Sequence, residues 1–152
     1  VALINDADRE KIRERLSSEL RQSVHVKVFS EPGMGLYVPG RRTCATCADT
    51  EELMKEVAGL SDLIELEIVN VREKPEEASA WGVALTPTIA VYTEDDSGVR
   101  VLGLPSGFEF LSFLETVISA GSSNGFGLQA ETLTKLSALE SDVEIKVFAT
   151  PT

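Results

Sequence analysis

Thr43-Cys-Ala-Thr-Cys-Ala48 holds the only two cysteines of a 152-residue chain, and both fall within one turn of backbone. Upstream lies Val24-His-Val-Lys-Val-Phe29, an alternating apolar run that reads as a strand. Downstream, Leu53, Met54, Val57 and Leu60 recur at helical spacing behind Glu51 and Glu52, so a helix is expected from at or near Cys44 to about Leu60. A cysteine pair at a strand-to-helix junction can close into a disulfide and reopen with little backbone movement. Thiol–disulfide exchange requires that property.

A helix N-terminus gathers unpaired backbone N–H groups and the positive end of the helix dipole, which favour thiolate over thiol. Cys44 is placed for this, and Arg41 and Arg42 add cations beside it. Such surroundings bring a thiol from about 8.5 toward about 7 or below. Cys44 then attacks, and Cys47, one turn deeper, resolves the mixed disulfide. The alternatives are an inert buried pair or half of a zinc site. Zinc needs two further ligands, against which the chain offers His25 in mid-strand and no other cysteine.

Further out, residues 5–22 read as an amphipathic helix capped by Asn5 or Asp6, with Ile12, Leu16 and Leu20 on one face. Glu31–Arg42, with three glycines and two prolines, reads as a loop. Leu63–Val71 reads as a strand, and Pro75 opens a short helix carrying Ala78 and Trp81. Leu85–Tyr92 and Val99–Leu104 read as a hairpin around Asp95-Asp-Ser-Gly98. Ser106 and Glu109 make a capping box for a helix over 107–119. The order αβαβαββα completes a small α/β domain by about residue 120. Residues 121–125 read as a linker by composition. A helix and the run Val143-Glu-Ile-Lys-Val-Phe148 follow, repeating Val24–Phe29 at an offset of 119 residues. Residues 126–152 are therefore expected to be the incomplete start of a second unit of the same kind.

Composition narrows the function. A net charge of −11 argues against nucleic acid and against an anionic membrane face. No segment reaches the about 18 apolar residues of a spanning helix. Val1-Ala-Leu-Ile-Asn-Asp-Ala-Asp8 turns acidic without a basic region, so no signal peptide is expected and a cytoplasmic location is. Two cysteines are too few for a disulfide scaffold.

Pro87 follows Thr86 at the entry to a strand, where a missing N–H is tolerated. Taken alone, an ordinary trans proline at a strand edge accounts for it. A cis bond, available at modest cost only to X–Pro, would leave the Thr86 backbone free to pair with an extended peptide.

CxxC at a strand-to-helix junction, then Thr86-Pro87-Thr88 entering a strand, a hairpin and a final helix together resemble the thioredoxin/glutaredoxin superfamily over residues 24–120. Gly103-Leu-Pro-Ser-Gly-Phe-Glu-Phe110, the leading helix and the begun repeat look like the two-domain protein disulfide oxidoreductases. The N-terminal module of the alkyl hydroperoxide reductase flavoprotein subunit is also similar. The resemblance implies a thioredoxin-like α/β fold with a central mixed sheet flanked by helices. It gives Cys44 the nucleophile's place, Cys47 the resolving place, and Thr86-Pro87 the cis-proline loop that receives substrate. It implies protein disulfide or dithiol partners and an NADPH-linked flavoprotein reductase, with no cofactor and no metal. The chain is expected to be a monomer, or a homodimer through its C-terminal stub.

The chain departs from the family between its cysteines, where Ala45 and Thr46 stand, and no tryptophan precedes Cys44. The strand before the pair carries no buried aspartate of the thioredoxin kind to accept a proton, and Glu31 is the carboxylate nearest to that strand, a weak candidate. Met34, Leu36 and Tyr37 make the loop partly apolar, as a cover for the sulfurs, a substrate contact or a tolerated insertion. Trp81 is expected in the core and His25 in a structural role. The leading functional reading is a dithiol–disulfide oxidoreductase. An electron-relay or docking domain of a larger peroxide-reductase type system and an iron–sulfur glutaredoxin-like module are the alternatives.

Overall fold

The computed structural model describes residues 3–31, 44–123 and 127–148. Helix α1 (Asp6–Glu19) starts where the Asn5 side chain accepts the Asp8 N–H at 2.9 Å, with Asp6 and Asp8 favourably placed in its first turn. It buries Leu16 and feeds Leu20 into the core. Strand β1 (Val24–Ser30) follows, then α2 (Cys47–Ala58), β2 (Ile64–Asn70), α3 (Pro75–Ala80), β3 (Thr88–Tyr92), β4 (Arg100–Leu102), α4 (Phe108–Gly121) and α5 (Ala130–Ser137). No described helix is long and apolar enough to cross a membrane.

The four strands form one mixed sheet in the order β2-β1-β3-β4. β1 runs parallel to β2, from Val24↔Ile64 to Ser30↔Asn70, and antiparallel to β3, from His25↔Tyr92 to Phe29↔Thr88. β4 closes the hairpin expected from sequence, with Thr88↔Leu102. Side chains alternate across a strand, so β1 serves two cores. Val24, Val26 and Val28 join Ile89 and Val91 under α1, α2 and α4, whereas Phe29 joins Val69, Ala78 and Ala90 beside Trp81. Trp81, expected in the core, is partly buried and packs against the second cluster, and His25 has a structural setting, stacked on Tyr92 at 4.9 Å.

Lys27 falls on the second face and is nearly buried. Its Nζ reaches Glu77 at 2.8 Å and Glu67 at 2.9 Å, and lies 4.7 Å from the Trp81 ring centre. Burial works against the charge, but the bonds to the two carboxylates outweigh it and hold the ammonium pKa above its ordinary value.

Three local expectations differ from the structure. Helix α2 begins at Cys47, with Thr46 as N-cap, so Cys44 lies one turn before the helix. The capping box does not form: α4 is capped by Gly107, which shifts Glu109 one position too early to close it, and Ser106 contributes only its carbonyl, to the Glu109 N–H at 3.1 Å. Residues 143–148 alternate like a strand but pair with no strand among the described residues, and Ile145, Val147 and Phe148 are more than four-fifths exposed. Alternation supplies the side-chain pattern of a strand; the strand itself needs a neighbouring backbone. Helix α5 forms ahead of this run and buries none of its residues.

Candidate active site

The parallel pairing of β1 with β2 carries the chain to Ser30 and Glu31 at one end of the sheet, where α2 begins. There the Glu31 N–H donates to Cys47 Sγ at 3.3 Å. Cys44 and Cys47 are joined as a disulfide, with Cα atoms 5.5 Å apart. The two cysteines differ in exposure. Cys47 is 1% exposed, while Cys44 is only half-buried. Thr46 gives α2 no side-chain cap; its carbonyl accepts both the N–H and the hydroxyl of the buried Thr50, at 2.9 and 2.8 Å.

The other wall is the entry to β3. Thr86-Pro87 is a cis peptide bond. Phe29 faces Thr88, so Pro87 enters β3 at the end of the sheet that also carries Glu31, the residue whose N–H meets Cys47. The Pro87 carbonyl accepts the Gly103 N–H at 2.9 Å, and the Thr88 hydroxyl donates to the Leu85 carbonyl at 2.7 Å. Gly103 has φ +88°, a conformation that a side chain resists, at the end of β4. Leu85 and Leu102 are about three-fifths exposed beside these groups.

The fold therefore brings Cys44, Cys47, Thr86 and Pro87 to one end of the sheet. Arg41, Arg42, Met34, Leu36 and Tyr37 lie outside the described residues. Glu31 is engaged elsewhere, its carboxylate bound to Arg72 at 2.9 Å. Sequence reading missed Ser30 and Glu51. The fully buried Ser30, one residue before the N–H that meets Cys47, donates its hydroxyl to Glu51 at 2.5 Å. The one available signal was that Glu51 follows Cys47 by four residues, on the same face of the helix.

A thioredoxin of Methanocaldococcus jannaschii is 31% identical to this chain over 84 residues, which are 55% of this chain and 82% of that protein. The chain belongs to the thioredoxin family. A protein disulfide oxidoreductase from Aeropyrum pernix matches with a TM-score of 0.75 and 26% identity, over 91% of this chain and 56% of its own. An alkylhydroperoxide reductase component, AhpF, of Enterococcus faecalis matches in fold, with a TM-score of 0.75 at 20% identity, over 91% of this chain and 62% of its own. This thioredoxin-like chain spans about three-fifths of the length of those two structures. No family model matches it. The thioredoxin relative and the Cys44–Cys47 disulfide support dithiol–disulfide oxidoreductase chemistry, as expected from sequence.

Proposed function

We propose that the Cys44–Cys47 pair exchanges disulfides with other proteins, with Cys44 as nucleophile and Cys47 as resolving thiol. The carrying observation is the unequal exposure of the two cysteines: Cys44 is half-buried, whereas Cys47 is buried against the end of β1. The Cys44 thiolate attacks one sulfur of a substrate disulfide, forming a mixed disulfide and releasing one substrate thiolate. Cys47 gives up its proton and attacks the Cys44 sulfur, and the second substrate thiolate leaves. Two electrons pass to the substrate, and the protein is left as its intramolecular disulfide.

Thr86 and Pro87 are the proposed docking edge, supported by their place at the end of the sheet that carries Glu31 and by the exposed Leu85 and Leu102. An NADPH-linked flavoprotein reductase is the proposed electron donor, and the cytoplasm the proposed location. The division expected from sequence (1–120, linker 121–125, 126–152) gives up Gly121 to the linker, yet Gly121 closes α4 and is buried. Residues 1–121 are therefore proposed as one unit, 122–125 as the linker and 126–152 as the start of a second. The exposed apolar faces of α5 and of residues 143–148 support that division, since isolated segments of this kind need a covering surface.

Insulin-disulfide reduction with a dithiol donor tests the cysteine roles. C44S is expected to lose all activity. C47S is expected to accumulate a mixed disulfide with substrate, seen by mass spectrometry. Full activity in C44S would overturn the assignment.

A further inference from the structure

Cys47 is 1% exposed, and burial makes a thiol hold its proton more tightly, yet resolution requires the thiolate. A hydrogen bond donated to the sulfur works the other way, because it favours the charged form. The Glu31 N–H donates one to Cys47 Sγ at 3.3 Å. Glu31 lies one residue past the end of β1, so the strand ladder alone does not aim that N–H. Its carboxylate is bound by Arg72 at 2.9 Å, with the Arg72 and Glu31 side chains 24% and 25% exposed. An ion pair sheltered in this way holds its geometry better than one standing free in water.

Arg72 reaches Glu31 from the turn after β2. Ser30 faces Asn70 in the last register pair of β1 and β2, and the Val71 N–H donates to the Ser30 carbonyl at 3.1 Å. The Asn70 side chain accepts the Arg72 N–H at 3.0 Å, folding the chain into that turn. We propose that the Glu31–Arg72 ion pair is a positioning clamp, which holds the Glu31 N–H on Cys47 Sγ and so stabilises the thiolate that resolves the mixed disulfide. In that step the Cys47 thiol gives its proton to solvent, and the thiolate forms its bond to Cys44 Sγ. The bond from Cys44 to the substrate sulfur breaks with its electron pair on the substrate. The other charged groups of this junction are engaged or face water. On α2, Asp49 is exposed, Glu51 accepts the Ser30 hydroxyl and Glu52 pairs with Lys55. β2 ends in the neutral Asn70, and β3 faces the end of β1 with Thr88.

The proposal rests on Cys47 being the resolving thiol, and one experiment separates the two. The reduced protein is mixed with one equivalent of dithiobis(nitrobenzoate), a chromogenic aromatic disulfide, under stopped flow. Attack by Cys44 releases the first coloured thiolate, and resolution by Cys47 releases the second. Charge alone and the clamp differ in sign. E31A leaves the Arg72 cation uncompensated, which through space would favour the Cys47 thiolate and move the second-phase pH profile to lower pH. R72A, by the same reasoning, would move it to higher pH. Loss of the clamp moves both profiles to higher pH, and is expected to slow the second phase near neutral pH by about fivefold to tenfold in each variant. R72K, which keeps a cation for Glu31, is expected to restore most of the wild-type profile. Shifts in opposite directions, or wild-type second phases in both alanine variants, overturn the clamp and leave the cysteine roles standing. A second coloured thiolate released by C47S at the wild-type rate would instead remove Cys47 from the resolving role. Should R72A not fold, E31A decides, because for it the clamp and charge alone require shifts of opposite sign.

Discussion

The Gly121 carbonyl accepts the backbone N–H of Arg21 at 2.8 Å, locking the end of α4 onto the turn between α1 and β1. The contact leaves no room for a side chain. A Cβ at position 121 would lie 2.5 Å from Leu20 Cδ2, 2.6 Å from Val24 Cγ2 and 3.3 Å from the Gln22 carbonyl. Both side chains belong to the main core. Gly121→Ala is therefore expected to destabilise the fold by about 1–3 kcal/mol through overpacking. Urea denaturation should show a lower midpoint with an unchanged slope.

The Lys27 cluster makes a prediction about which partner matters more. Glu77→Gln leaves a nearly buried ammonium with Glu67 as its remaining carboxylate, and should cost about 1–3 kcal/mol. Lys27→Met puts an apolar chain of similar length beside Phe29, Ala90 and Trp81, and frees carboxylates that water can reach. It should cost less than Glu77→Gln. The raised pKa of Lys27 means its contribution is complete below the unfolded value of about 10.4 and fades as pH rises through the higher folded value. Thermal melts between neutral and strongly alkaline pH should converge for wild type and Lys27→Met.

Acid acts on another contact. The Glu56 carboxylate accepts the N–H groups of Leu3 and Ile4 at 2.6 and 3.1 Å and pairs with Arg9 at 2.8 Å. The Leu3 bond leads these influences, which together hold its pKa below the ordinary carboxylate range despite partial burial. The resulting stability is present above the unfolded value of about 4.3 and is lost as pH falls through the lower folded value. Glu56→Gln should cost about 1–2 kcal/mol at neutral pH and nothing at the acid end of the profile. Denaturant titrations across that range check it. The exposed Arg15–Glu115 pair, by contrast, should contribute little.

Thr88 connects stability to docking. It is 1% exposed, and its hydroxyl holds the Leu85 carbonyl next to the proposed substrate edge. Thr88→Val keeps the shape and removes the bond, at about 1 kcal/mol. Reduction of a protein disulfide should slow by roughly fivefold, while reaction with a small aromatic disulfide should not change. Equal loss with both substrates would remove Thr86-Pro87 from the docking role.

The legible parts of this molecule were those written in short-range pattern. Val24–Phe29 alternates because each of its faces meets a different core. Leu53, Met54 and Val57 recur because one face of α2 is buried. The cysteine spacing and Pro87 marked the reactive end of the sheet. What sequence could not show depended on contacts between distant residues. Ser30 and Glu51 are 21 positions apart and meet only because β1 and α2 pack together. Glu31 looked available until Arg72, 41 positions on, was placed against it. Ser106 and Glu109 have the spacing of a capping box, yet Gly107 takes the cap. Val143–Phe148 has the pattern of β1 without the neighbours that make β1 a strand.

The strand order has a consequence for how activity fails. β1 and β3 occupy the two inner places of the sheet, and they carry Glu31 and Pro87 to the site from the least solvent-accessible part of the molecule. Amide protons of Val26, Val28 and Ile89 should exchange only when the whole domain opens, whereas those of the short outer strand β4 exchange through local fraying. On heating, redox activity and global structure should then disappear in a single transition, so the chemistry survives for as long as the fold does.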